Sequence, residues 1–236
     1  MESNEQTGPR RGSQTLARGI CILSVLRDAP DGLSVAELVR ALGLPRAIVT
    51  RLLTTLEEAR FVERTGSRMY RLGPELIALG KAVRSDLREI AATVLRGLAD
   101  KVGATVVLVM RDADHAMVIS VVEPMRTDLR LSFRLGSRHL LHQGAEGMAI
   151  LAGNPAVPGE RKEVTEARRS GYAVSVGEIL AGTWGLAVPM PLVPGAATMS
   201  VGVICAQALD ELKTAALVAG AARELVERVS LSGELS

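Results

Sequence analysis

The sequence predicts an α+β protein in two parts: a small helical N-terminal region closed by a hairpin, and a larger C-terminal region carrying a mostly antiparallel sheet. Three observations lead there. Helical periodicity runs from residue 14 to about residue 60 and is cut by strong breakers. After Lys101 the period turns strand-like, with β-branched runs separated by turn residues. Hydrophobic residues make up 47% of the 236-residue chain but aromatics only 2%. The core must therefore be built from Leu, Val, Ala, Ile and Met, which suits helices and parallel or mixed sheets better than an aromatic-rich sandwich.

Residues 1–13 are polar, contain Gly8-Pro9 and Gly12, and read as a disordered arm carrying Arg10-Arg11. Leu16, Ile20, Leu23 and Leu26 then recur at helical spacing, and Asp28-Ala29-Pro30-Asp31-Gly32 ends that helix. Ser34 is placed as an N-cap, Glu37 completes a capping box, and Gly43 closes this second helix after Leu42. Pro45 opens a third helix that runs to about Arg60. Short strands over 61–64 and 68–72 flank the turn Thr65-Gly66-Ser67. Helix, helix, short turn, helix and hairpin is the order of a winged helix-turn-helix, here over residues 14–73.

Pro74 opens a long helical stretch to about Lys101 with a break near Ser85-Asp86. Its first part, residues 74–85, is expected to be a linker helix; the remainder belongs to the second domain, residues 86–236. There, residues 105–110 and 116–122 read as a hairpin and 129–135 as a third strand. A helix over 143–151 and a short charged helix over 160–169 follow. Strands near 172–176, 183–190 and 198–206 precede an Ala-rich closing helix over 210–229. Strands joined by hairpins with helices interspersed indicate α+β.

The net charge is only +2, but it is uneven. From Arg10 to Arg71 eleven arginines face six acids, with no lysine. Arginine offers a planar fork for phosphate or guanine that lysine lacks. GC-rich codon usage also favours arginine, so composition alone does not decide. Cys21 and Cys205 lie far apart in apolar runs and read as small buried hydrophobes. The polar start lacks the apolar stretch of a secretory signal, and no apolar run approaches a membrane span, so a cytoplasmic protein without a membrane partner is expected.

The third helix is the most informative. Ile48, Val49, Leu52, Leu53, Leu56 and Ala59 fall on one face. Ala47, Thr50, Arg51 and Thr54 fall on the other, with Arg46 on the flank of the first turn. Small residues let a helix backbone approach a major groove, arginines reach guanine edges, and hydroxyls reach phosphates or bases. Glu57 and Glu58 at the far end leave the N-terminal half to enter the groove. Ser34 joins these residues as an expected DNA contact. Arg64, Arg68 and Arg71 on the hairpin are expected to position the wing on phosphates, and Arg10-Arg11 to reach an adjacent minor groove. An ordinary amphipathic helix with solvated arginines is the competing reading; the capped helix before it and the arginine-bearing hairpin after it favour DNA.

These segments resemble the IclR family of bacterial transcriptional regulators. The resemblance rests on LARGICILSVL, on LSVAELVRALGLPRAIVTRLLTTLEEARFVERTGSRMYRLGPELIALG, and on two later stretches, GSRHLLHQGAEGMAILA and RRSGYAVSVGEILAGTWGLAVPM. It implies a homodimer or dimer of dimers, a GAF-like effector-binding and oligomerisation domain, and a small organic or aromatic effector that adjusts binding to double-stranded operator DNA. This chain also departs from the family pattern. Met148 stands for the usual Lys, Leu141 for the usual Pro, and the stretch between Ala152 and Arg169 is short. Ser175, Gly202 and Ile204 stand where relatives that bind small oxo-acids carry an acid and serines. A less polar, larger ligand is therefore expected.

The expected ligand-binding set is Leu131, His139, Ala145, Glu146, Ser175, Trp184, Gly185, Gly202 and Ile204. Backbone N–H groups at the start of the helix near Gln143 attract anions or carbonyl oxygens. Glu146 is an odd neighbour for an anion, which favours neutral or cationic ligands or a Glu that points away. Trp184, between glycines, is placed either in the pocket or in the core. His139 and His142 lack further metal ligands nearby and read as structural. No Gly-x-Ser-x-Gly, Lys-bearing phosphate loop or HExxH is present, so neither an enzyme nor a cofactor is expected. A ligand-independent DNA-binding protein, its second domain a dimer scaffold, is the alternative.

Overall fold

The structure, a computed structural model, describes residues 12–82, 85–125, 133–190 and 198–231. The chain forms two compact units, Met1–Val83 and Arg84–Ser236. Arg10, Arg11 and Leu131 lie outside the described residues. Among the described residues no helix is long and apolar enough to cross a membrane.

The first unit opens with α1 (Gln14–Arg27), whose N-cap Ser13 accepts the Leu16 N–H. The stripe that faces inward differs from the expected one. Gly19, Ile22 and Leu26 are buried, whereas Leu16 and Ile20 are 64% and 53% exposed. The helix is apolar on more than one side, so two stripes fit its periodicity. The one through Gly19, Ile22 and Leu26 turns inward, where Ile22 and Leu26 pack with Leu38, Val49, Leu52 and Leu53. α2 (Val35–Leu42) starts at the expected capping box. Ser34 Oγ accepts the Glu37 N–H at 3.3 Å, and Glu37 Oε2 accepts the Ser34 N–H at 2.8 Å. Gly43, at φ +63°, ends it in the left-handed conformation glycine tolerates. α3 (Arg46–Glu58) follows Pro45, and the hairpin β1 (Val62–Arg64) and β2 (Tyr70–Leu72) pairs Glu63 with Arg71. Leu33 bridges Tyr70, tying the segment before α2 to the wing. Ile22, Leu26, Leu38, Val49, Leu52, Leu53, Val62 and Tyr70 form one core.

The hairpin ends against α3. Gly73 donates its N–H to the Phe61 carbonyl, and a side chain at Gly73 would collide with the Arg60 carbonyl. That same carbonyl accepts the Glu75 N–H at the start of α4 (Glu75–Ala82). None of α4 is buried within this unit.

The second unit is a six-stranded sheet in the order β5-β4-β3-β8-β7-β6, antiparallel at every pairing. Its strands are β3 (Thr105–Asp112), β4 (His115–Val122), β5 (Arg138–Leu140), β6 (Ala173–Val176), β7 (Trp184–Met190) and β8 (Met199–Cys205). α5 (Ser85–Val102) and α8 (Glu211–Leu231) cover one face, where Leu95, Leu108, Leu186, Val201, Val218 and Leu225 pack together. α6 (Gly144–Ala152) and α7 (Lys162–Ser170) cover the other. The expected strand over 129–135 is not the one that pairs at this edge. Most of it lies outside the described residues, Phe133–Leu135 is not strand, and β5 begins only at Arg138. Gly136, at φ +78°, turns the chain and donates its N–H to the Val118 carbonyl, while the Ser137 carbonyl accepts the Val118 N–H.

Candidate DNA-reading helix and effector cavity

In the first unit α3 buries Val49, Leu52 and Leu53 and leaves Arg46, Ala47, Thr50, Arg51 and Thr54 exposed. Thr54 Oγ1 donates to the Thr50 carbonyl at 3.1 Å, so its one hydroxyl donor is spent on the helix backbone. No side chain caps the first turn of α3, and the Ile48 and Val49 N–H groups both donate to the Pro45 carbonyl. The surface that can meet a groove is thus small at the centre and cationic along its length.

Two of the expected DNA contacts are committed elsewhere. The Ser34 hydroxyl donates to Glu37 Oε2 at 2.7 Å, so its one donor is spent on the capping box. These hydrogen bonds hold the Glu37 carboxyl below its ordinary pKa. Ser34 builds the helix in front of α3 rather than offering a free donor to DNA. Arg71 Nε pairs with Glu63 Oε1 at 2.5 Å across the hairpin, because the β1–β2 register places them opposite. Arg64 lies with its guanidinium 5.8 Å from the Tyr70 ring centre, and Arg68 sits exposed at the wing tip with φ +61°.

In the second unit a small cavity of about 70 Å³, open at its mouth, lies between the sheet and α6. Val107, Val109, Val118 and Ile204 form its apolar floor, and Phe133 and Ile179 its sides. His139, Glu146, Ser175, Glu178, Thr183 and Gly185 bring polar atoms or backbone to it. Of the expected set, His139, Glu146, Ser175, Gly185 and Ile204 therefore meet in one place. Burial holds His139 below its ordinary pKa, so its ring is neutral near pH 7.

Trp184 is not part of this wall. Residues alternate faces along a strand, and Gly185 points to the cavity. Trp184 therefore packs on the opposite face with the α5 and α8 core, 5% exposed. Gly202 and Ala145 stand behind the wall. A Cβ at Gly202 would sit 2.6 Å from Glu146 Oε1, so the bare strand there makes room for the Glu146 carboxyl. Ala145 is fully buried among α6, α7 and β7.

The start of α6 differs from expectation in one respect that matters chemically. Its N–H groups do not await an anion. Gly144 N–H donates to Glu178 Oε2 at 3.0 Å and Ala145 N–H to Ser175 Oγ at 2.9 Å. Glu178 is in turn held by both terminal nitrogens of Arg161 at 3.1 Å, which keeps its carboxyl below the usual range. Gly144, at φ +74°, admits Ile179, which would meet any Cβ there at 2.8 Å. Sequence reading missed Glu178, Arg161 and the valines of β3. Glu178 sits in a turn with no motif around it, and Val106–Val109 is apolar throughout, so no alternation marked which residues face a ligand.

Glu146 is the electrostatic anomaly of the unit. It is 5% exposed, and its Oε1 has no hydrogen-bond partner. Burial pushes its pKa from 4.5 up to about 7, opposed weakly by its own backbone N–H. Ser200 Oγ donates to its carbonyl at 3.0 Å and fixes this turn of α6 against β8. Among the described residues no group of three or more His, Cys, Asp or Glu is placed to hold a metal ion.

Comparison with known proteins agrees with both units. Residues 15–66 match the IclR helix-turn-helix domain and residues 80–161 the bacterial transcriptional regulator IclR C-terminal domain. The chain is 30% identical over 207 residues to the HTH-type transcriptional regulator TtgV of Pseudomonas putida, covering 79% of this chain and 80% of that protein. It superposes on an IclR transcriptional regulator from Alicyclobacillus acidocaldarius with a TM-score of 0.80 at 26% identity, covering 93% and 98% of the two chains. An IclR homologue from Microbacterium hydrocarbonoxydans, complexed with 4-hydroxybenzoate, shares the fold with a TM-score of 0.78 at 20% identity over 92% and 100%. With its helix-turn-helix, its helical connection and its antiparallel-sheet domain, the chain belongs to the IclR family of bacterial transcriptional regulators.

Proposed function

We propose that this chain is a sequence-specific regulator whose hold on double-stranded operator DNA is set by a small organic effector bound in the second unit. One observation carries the DNA reading. Arg46, Ala47, Thr50, Arg51 and Thr54 form a continuous exposed row on α3, opposite its buried face. Such a row reads base edges, while Arg64 and Arg68 of the wing position the domain on phosphates. The protein works as a homodimer or dimer of dimers in the cytoplasm, since paired recognition helices at fixed spacing match a two-fold operator. Effector binding shifts the balance between dimer geometries; a coupling of about 1–3 kcal/mol changes operator occupancy several-fold to a hundredfold.

The apolar floor of the α6 cavity supports an effector with a substantial apolar body. A protein of this fold has been obtained with 4-hydroxybenzoate, which is consistent with a small organic ligand. The test is fluorescence anisotropy on a duplex selected from a random pool with the full-length protein. Saturable, sequence-dependent binding that changes when a metabolite is added is the expected result. Binding that ignores sequence would end the operator reading.

A ligand-independent regulator is the second reading. It is favoured by the internal capping of α6, where Ser175 and Glu178 occupy the N–H groups an anionic effector would use. Any metabolite that shifts operator affinity removes it.

A further inference from the structure

We infer that the cavity of the second unit takes an organic cation, an amine or amidine on an apolar body, whose N–H groups donate to the carboxylate of Glu146. The inference rests on reading this cavity as the effector site and adds the charge of the ligand.

The balance of polar groups around the cavity points one way. The backbone N–H groups and arginines around the cavity that could hold an anion are already engaged by the protein itself. The first N–H groups of α6 go to Glu178 and Ser175, and Arg161 is held by Glu178. Arg138, at the cavity wall, pairs with Asp112 at 2.8 Å. His139 is kept neutral by burial. Against these, Glu146 is buried in the wall with Oε1 lacking any partner. Leaving an acceptor buried and unpaired is costly, and a buried carboxylate without a counter-charge more so. The fold nonetheless keeps space for it, since any side chain at Gly202 would press on Glu146 Oε1 and Cγ. Near neutral pH burial leaves this carboxyl divided between its two forms, with a pKa of about 7. A bound ammonium or amidinium would hold it ionised and supply the missing donors. Val107, Val109, Val118, Phe133 and Ile204 would receive the apolar body.

The test uses the full-length chain and four probes with one apolar body: 4-methylbenzylamine, 4-methylbenzamidine, 4-methylbenzyl alcohol and 4-methylbenzoate. Their affinities are measured by calorimetry on the protein and on Glu146→Gln, which keeps the side chain's size. The expected result is that the amine or the amidine binds about tenfold or more tighter than the alcohol, that benzoate binds weakest, and that Glu146→Gln removes the advantage of the cations. Equal binding of the cations to both proteins, tighter binding of benzoate, or no binding of either cation overturns the inference. Operator binding is followed in parallel. If a cation binds through Glu146 without altering operator affinity, the charge assignment stands and the effector role fails. If benzoate binds and shifts operator affinity, the effector role stands and the charge assignment fails.

Discussion

Arg161 grips Glu178 through two parallel hydrogen bonds of 3.1 Å, and the carboxylate so held caps α6 through the Gly144 N–H. The connection between β6 and β7 is thereby fastened to the start of the helix that walls the cavity. Arg161 also donates to the His142 carbonyl at 2.6 Å, so one guanidinium ties the segment before α6 to Glu178. Arg161→Ala and Glu178→Gln should each lower stability by about 1 kcal/mol, a modest figure because both side chains are partly solvated. Urea denaturation checks this. The Glu178 carboxyl is depressed in the fold, so its contribution is present above the ordinary carboxylate pKa and is lost as pH falls through its lower folded value. Glu178→Gln should flatten stability in that acid range.

Glu146 has the opposite sign. Its folded pKa, about 7, lies above the ordinary 4.5, so the neutral form is the one the fold prefers. That preference is fully expressed below pH 4.5 and is lost as pH rises through 7. The shift corresponds to at most about 3 kcal/mol across this window. Glu146→Gln should therefore unfold at a higher temperature than the native chain at about pH 8 and differ little at about pH 5. Thermal unfolding followed by circular dichroism at both values tests it; a difference between native chain and variant that is the same at the two would contradict the assigned burial.

Gly202→Ala places a methyl group 2.6 Å from Glu146 Oε1. The carboxyl has nowhere to retreat on the strand side, so a loss of about 1–3 kcal/mol is expected. Combining it with Glu146→Ala should recover part of that loss, whereas combining it with Glu146→Gln should not. A double-mutant cycle in urea separates the two.

Arg51→Ala should weaken binding to the selected operator by about 1–3 kcal/mol while leaving non-specific binding nearly unchanged. Arg68→Ala, at the wing tip, should weaken both equally and reduce the salt dependence. Equal losses for Arg51→Ala would make it a phosphate contact.

Trp184 packs among α5 and α8 on the face of the sheet away from the cavity. Its emission should report unfolding of the second unit with a large red shift and change little when a ligand fills the cavity. Fluorescence during the calorimetric titrations checks this directly.

The sequence made the first unit legible because its signals are local. Ser34 with Glu37, Gly43 and Pro45 each act within a few residues, and the exposed row of α3 follows from helical period alone. α1 was harder because Leu16, Ile20, Ile22 and Leu26 give two apolar stripes, and only packing of Ile22 and Leu26 into the core of the unit selects between them. The cavity was legible in part. His139, Glu146, Ser175, Gly185 and Ile204 fall together in it, but Trp184 was misplaced by one step of strand alternation. The Arg161–Glu178 pair spans 17 residues and carries no local signature.

The Arg60 carbonyl lies at the end of the reading head and receives the first backbone N–H of α4, with Gly73 pressed against it. The start of α4 is thereby fastened to the turn that follows α3, within the same unit. Replacing Gly73 by any bulkier residue would drive a side chain into the Arg60 carbonyl and pull α4 off its anchor, while leaving every residue of the exposed α3 row unchanged.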